Sequence, residues 1–156
     1  MTRPEDRSSF TRRFTHVGPP LKQVAALPFV ETSSGPLVLL VTTRGMGRWT
    51  IPKGWAKPGL EDAEMAVREA FEEAGIAGDI RPRPVGSYDY TKRLHLLSWV
   101  RCSVDVFGLR ARCQELDWAE KQSRKLKWVE PDKAASMVRD RQLAVILRDF
   151  PKLGLV

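Results

Sequence analysis

From residue 21 onward, short apolar runs alternate with clusters of turn-forming residues. Residues 23–30 read as a strand broken by Pro28, which predicts an edge position or a bulge because proline cannot donate to a ladder. Ser33-Ser34-Gly35-Pro36 has turn chemistry, and residues 37–43 form an apolar run that closes a hairpin with the first strand. Arg44-Gly45-Met46-Gly47-Arg48 reads as a flexible loop leading to a short strand at 49–51. Residues 52–59 hold two prolines and two glycines and are predicted to be a loop. Further strands are expected at 85–90, 94–107 and 126–129. Pro131 suits the first turn of a helix to about residue 139, and a last helix is expected at 142–150. Helices do not alternate regularly with strands, so the pattern predicts mixed α+β packing, in one domain over 21–156, instead of a doubly wound parallel sheet.

Residues 60–74 carry a helical pattern that Gly75 ends. With Met65 at zero and about 100° per residue, Glu69, Glu72 and Glu73 fall in an arc centred near 30°. Ala63, Val67, Ala70, Phe71 and Ala74 fall in an arc centred near 190°, which is the expected core face. The carboxylates repel one another, an i,i+4 pair of like charges costing a few tenths of a kcal/mol. Arg68 is expected to offset part of this by pairing with Glu64 or Glu72. A solvated surface helix would carry the same charges. A divalent cation would make their concentration favourable, and Mg²⁺ takes a few carboxylates together with waters and substrate phosphates.

Composition narrows the setting. Of the 156 residues 42% are hydrophobic and 29% charged, which describes a globular chain and not a disordered one. No apolar run is long enough to cross a bilayer. Residues 1–20, rich in Arg, Ser, Thr and Pro, read as a mobile basic arm without the apolar centre of a secretory signal, so the cytoplasm is the expected compartment. Cys102 and Cys113 have no metal-cluster spacing, and Cys102 reads as a buried structural thiol. A net charge of +7 favours an anionic partner: nucleic acid, anionic lipid or a phosphorylated metabolite.

The segment from Gly54 to Ile76 resembles the Nudix box, with Gly54, Arg68, Glu69, Glu72, Glu73, Gly75 and Ile76 in register. Leu60 departs from it, standing where the pattern has its first Glu, and Glu61 lies one position on. Trp49-Thr50-Ile51-Pro52-Lys53-Gly54 and Lys127-Trp128-Val129-Glu130-Pro131 extend the likeness, which covers most of 22–140. The resemblance implies a mixed β-sheet core flanked by helices, an α/β/α sandwich, and a pyrophosphohydrolase dependent on Mg²⁺ or Mn²⁺. By it, Glu69, Glu72 and Glu73 would ligate the metal, the Gly54 carbonyl would complete the coordination, and Arg68 would orient the glutamates.

Within the family, the Trp49–Gly54 approach and Ser123-Arg124-Lys125-Leu126-Lys127-Trp128 are similar to the diphosphoinositol polyphosphate and diadenosine polyphosphate hydrolase branch. That likeness makes Lys22, Arg48, Lys92, Arg93 and Arg124 candidate phosphate contacts, and Lys53 in the box loop joins them. The partner expected is a phosphorylated small molecule. Nucleotide sugars, RNA 5′ ends and non-catalytic nucleic-acid binding are the alternatives, nucleic acid being less favoured for want of its common motifs. Trp55 is a candidate pocket wall, whereas Trp49, Trp99 and Trp128 are expected in the core. Trp118 is a candidate cover for the basic segment, and His95 a weaker candidate for facing the ligand. Glu115, Asp117, Glu120 and the box glutamates are all candidates for the general base.

Overall fold

The computed structural model describes residues 18–96 and 98–154. Most of the expected basic arm, with His16, lies in residues 1–17, outside the described residues.

The longest buried apolar run sits at the centre of the sheet. Strand β1 (Leu21–Thr32) is continuous and buried from Gln23 to Phe29. Its side chains alternate between two cores. Ala25, Leu27 and Phe29 face one, and Val24 and Ala26 the other, as a strand covered on both faces requires. β1 runs parallel to β7 (Ser98–Gln114) and antiparallel to β2 (Gly35–Thr42), which it reaches through the two-residue turn Ser33-Ser34.

Pro28 therefore does not mark an edge. Pairing with β2 starts at Phe29, whereas pairing with β4 (Lys53–Trp55) stops at Ala25 and is followed by one bond from Ala26 N–H to the Pro52 carbonyl. The missing N–H falls in the gap between the two partners, where no ladder bond is lost.

The remaining strands complete a mixed eight-stranded sheet. β3 (Trp49–Thr50) and β8 (Leu126–Val129) pair with β2. β5 (Ile76–Ile80) and β6 (Gly86–His95) share the far side of β7. Helix α1 (Asp62–Ala74) covers one face, where Met65, Ala66, Ala70 and Ala74 meet Leu39, Val41 and Leu109. Helices α2 (Pro131–Met137) and α3 (Arg141–Asp149) and the 3-10 turn Phe150–Leu153 cover the other. There Phe150 packs on Phe29 with ring centroids 5.1 Å apart. The result is the expected α+β, α/β/α sandwich. No helix among the described residues is long and apolar enough to cross a membrane.

Three further expectations change. The segment expected to be only loop contains β4, because Lys53–Trp55 has β1 backbone to pair with. β5, which the apolar pattern did not announce, pairs with the extension of β7 beyond Phe107. Helix α1 begins at Asp62 and is rolled about its axis by roughly a quarter turn from the expected orientation. Met65, Ala66 and Glu73 are buried, while Phe71, expected in the core, is 44% exposed. The roll moves the acidic stripe from open solvent to the margin between core and cleft.

Candidate active site

The end of α1 is fastened by a segment far along the chain. Gly75 adopts a left-handed conformation (φ 68°), and its N–H bonds the Phe71 carbonyl at 2.9 Å. The next three carbonyls would be orphans of an ordinary helix end. Instead, Glu120 N–H donates to Glu72 O (3.1 Å), Trp118 Nε1 to Glu73 O (3.2 Å) and Gln114 Nε2 to Ala74 O (3.2 Å). Trp118 lies so close over Gly75 that a Cβ there would come within 2.5 Å of its ring. Trp118 thus caps α1, and it also lies against the basic segment as expected, with Lys121 Nζ 5.2 Å from the centre of its ring. Glu72 and Glu73 stand at the negative end of the helix dipole with no basic residue in the last turn, an arrangement that costs stability unless a cation faces it.

The fastened end borders a cleft of about 940 Å³. Glu69, Glu72, Glu73 and Gly54 line it, as do Arg48, Lys53, Lys92, Arg93 and Arg124, together with Arg44 and Lys57. Two of the expected residues stand elsewhere. Lys22 is bonded to Asp62 and lies 3.5 Å from Asp105, beyond the cleft residues. Arg68 is exposed, lies outside the cleft lining and forms no ion pair with Glu64, Glu72 or any other described residue. The roll of α1 turns it away.

Arg124, and not Arg68, is the arginine that contacts a box glutamate. Its Nη2 lies 3.1 Å from Glu73 Oε1 and 3.2 Å from Glu120 Oε1, and Nη1 donates to the Thr42 carbonyl at 2.9 Å. Glu120 is also ion-paired with Arg44, whose Nη1 lies 3.4 Å from Oε1. Of the three carboxylates outside the box named as base candidates, Glu120 alone lines the cleft; Glu115 and Asp117 are exposed elsewhere. Leu60 packs against the α1-side core, and Glu61 points to a separate hollow, so neither supplies the missing box carboxylate.

Burial pushes the Glu73 carboxyl up to about 7, against the opposing pull of Arg124 and Lys53. Burial also raises Glu69, with Glu72 and Glu120 adding repulsion. The Lys53 ammonium is lowered by burial, against the attraction of Glu73. It bonds Thr50 Oγ1 at 3.3 Å and lies 5.4 Å from the centre of the Tyr90 ring, whose hydroxyl donates to Gln23 Oε1 at 2.6 Å. At the rim, Lys92 Nζ sits 4.7 Å over Trp55, which lines the cleft as expected. Trp49 lines the cleft as well as packing on the core, while Trp99 stacks under Arg93. His95, the last residue of β6, is exposed and outside the lining. Cys102 is buried, as expected, and Cys113 exposed.

Among the described residues, no three His, Cys, Asp or Glu side chains stand together closely enough to hold a metal by themselves. Glu73 lies between Arg124 at Oε1 and the Lys53 N–H at Oε2, and Glu69 adds repulsion to it. The donor set nevertheless fits a Mg²⁺-type ion, which needs only one or two carboxylates besides water and phosphate oxygens. Gly54 supplies a geometric sign of that fit: a Cβ there would lie 2.0 Å from Glu69 Oε1, so main chain and carboxylate share one cradle.

An acidic helix end and a ring of cations thus share one cleft of an α/β/α sandwich, an arrangement suited to a phosphorylated ligand. The NUDIX domain family matches residues 21–150, and the chain belongs to that family. It is a Nudix pyrophosphohydrolase. It is 28% identical over 127 residues to the pig bis(5′-nucleosyl)-tetraphosphatase [asymmetrical], a match covering 79% of this chain and 83% of that one. To diphosphoinositol polyphosphate phosphohydrolase 2 of Mus musculus it is 26% identical over 138 residues, covering 88% and 68%. The crystal structure of the C. elegans Ap4A hydrolase superposes with a TM-score of 0.62 at 20% identity, over 84% of this chain and 96% of that one. That structural likeness concerns the fold.

Proposed function

We propose that the protein hydrolyses a phosphoanhydride of a polyphosphorylated small molecule, of the dinucleoside polyphosphate or diphosphoinositol polyphosphate class, with Mg²⁺ or Mn²⁺. One observation carries the reading: the box carboxylates Glu69, Glu72 and Glu73 border the same cleft as Arg44, Arg48, Lys53, Lys57, Lys92, Arg93 and Arg124. The two substrate classes are those named in the pig and mouse relatives.

Glu69 with the Gly54 carbonyl, and Glu72 and Glu73 beside them, would hold the metal. When bound, it polarises phosphoryl oxygens and lowers the pKa of a bound water. The chain's own groups supply the rest. Lys53, seated in the interior of the cleft, and Lys92, held over Trp55, place fixed positive charge toward the phosphates. Arg93 is fixed by bonds to the His95 and Leu96 carbonyls, so it presents its charge without much loss of side-chain freedom. Fixed cations in a partly water-excluded cleft favour the charge that develops on the transferred group and the leaving oxygen. A cytoplasmic setting suits the two unpaired cysteines, Cys102 and Cys113.

The test is a panel of diadenosine tetraphosphate, diphosphoinositol pentakisphosphate, a nucleoside diphosphate sugar and 5′-triphosphorylated RNA, with Mg²⁺ and with excess chelator. Turnover of either of the first two, abolished by chelator, is the expected result. Turnover of the sugar nucleotide or the RNA alone would overturn the substrate class, and activity in chelator would overturn the metal.

A further inference from the structure

Both carboxylate oxygens of Glu73 are engaged: Oε2 accepts from Lys53 N–H at 3.3 Å, and the Arg124 guanidinium lies at Oε1. Its Nη2 sits almost midway between Glu73 Oε1 (3.1 Å) and Glu120 Oε1 (3.2 Å). The contact is buried: the Arg124 side chain is 10% exposed and that of Glu73 6%. A metal arriving on Glu73 would be forced against this cation, unless the arginine has somewhere else to go.

The surroundings give it a place. Nη1 is anchored on the Thr42 carbonyl at 2.9 Å, which tethers one corner of the head group. Nε is buried and makes no hydrogen bond, so the guanidinium has a donor in reserve. Glu120 lies four residues earlier in the same segment, and its own N–H is fixed to Glu72 O at 3.1 Å. The acceptor therefore moves with the end of α1 and stays beside Glu73. A small rotation toward Glu120 would exchange one shared contact for a two-pronged arginine–carboxylate pair, the strongest geometry open to that side chain.

We infer that Glu120 is a positioning residue that takes Arg124 over when a divalent cation takes Glu73. The arginine keeps the buried carboxylate partnered before the metal arrives, and Glu120 lowers the cost of its departure. The inference rests on the metal-binding reading above and concerns how that site is vacated, not which phosphate compound enters it.

The experiment measures Mn²⁺ binding directly, by the electron paramagnetic resonance of free Mn²⁺, without substrate. Relative to wild type, Glu120→Gln binds about tenfold more weakly, because Arg124 has no second seat. Glu120→Asp, which keeps the charge, stays within about threefold of wild type. Arg124→Gln binds at least as tightly as wild type, and Glu120→Gln adds nothing further in that background. If Glu120 instead ligated the metal itself, the double variant would be as weak as Glu120→Gln, and the inference would fall. Equal binding by wild type and Glu120→Gln would overturn it while leaving the metal site intact; no binding by wild type would overturn both. Should Arg124→Gln not fold, the Arg124 side-chain ¹⁵N signal still decides. Mg²⁺ shifts it in wild type and not in Glu120→Gln, and an unshifted wild-type signal contradicts the exchange.

Discussion

Gly54→Ala separates the metal cradle from the fold more cleanly than any acidic substitution. A Cβ at this position would lie 2.0 Å from Glu69 Oε1, 2.3 Å from Cδ and 2.8 Å from Oε2. To reach the 3.4 Å of ordinary van der Waals contact, the carboxylate must retreat by about 1.4 Å. It can do so, since it is the flexible end of a half-buried side chain, and Gly54 itself sits in a short strand that alanine can occupy. Stability should therefore change by less than about 1 kcal/mol, with a small gain from the stiffer unfolded chain offsetting the rotamer change. Mg²⁺ tolerates little departure from its 2.0–2.1 Å ligand distances, so losing the Glu69 position should weaken Mn²⁺ or Mg²⁺ binding by about 10- to 100-fold. Calorimetric titration gives the affinity, and thermal melting of the metal-free protein gives the stability. Wild-type affinity in a folded Gly54→Ala protein would refute the cradle, and loss of the fold would refute the claim that the side chain yields first.

Other outcomes follow from the same contacts. Gly75→Ala combines a left-handed φ of 68° with a Cβ 2.5 Å from Trp118, so it should cost about 1–3 kcal/mol in urea unfolding and perturb Trp118 fluorescence. Phe150→Ala, fully buried against Phe29, should cost about 3–5 kcal/mol by the same measurement. The Glu73 carboxyl, raised from 4.5 to about 7 chiefly by burial, favours folding in its protonated form. Its contribution is thus complete below pH 4.5 and is lost as pH rises through 7. The melting temperature of metal-free wild type should accordingly fall relative to that of Glu73→Gln between those pH values, and saturating Mg²⁺ should reverse the trend. A constant gap between the two proteins would contradict it.

What could be read from the chain in advance was local in origin. Short apolar runs located β1, β2, β8 and the first half of β7, and the spacing of Glu69, Glu72 and Glu73 placed three carboxylates on one flank of a helix. The roll of α1 was not legible, because an alanine-rich face matches several orientations. Met65 and Ala66 settle it only by meeting Leu39, Val41 and Leu109. Pro28 looked like an edge signal because β7, which pairs with it at Leu109, and β4, which pairs with β1 up to Ala25, are distant in sequence. The roles of Arg124 and Glu120 depend on partners 51 and 48 positions away in the numbering, Glu73 and Glu72. The sequence marked Arg124 as a phosphate contact and Glu120 as one of several base candidates, but not their contact with each other or with Glu73. Arg68 and Lys22 had the right chemistry by pattern, but the roll of one and the aspartate partners of the other take them out of the cleft.

The most direct test follows pyrophosphate cleavage by ³¹P NMR in the presence of Mg²⁺, comparing wild type with Glu73→Gln on whichever substrate of the panel turns over. Wild type should convert it steadily, while the variant, still folded by circular dichroism, should be slower by about a thousandfold, the scale expected when charge stabilisation at the reacting phosphate is removed. Comparable rates for the two proteins would show that the acidic end of α1 is not where the chemistry takes place.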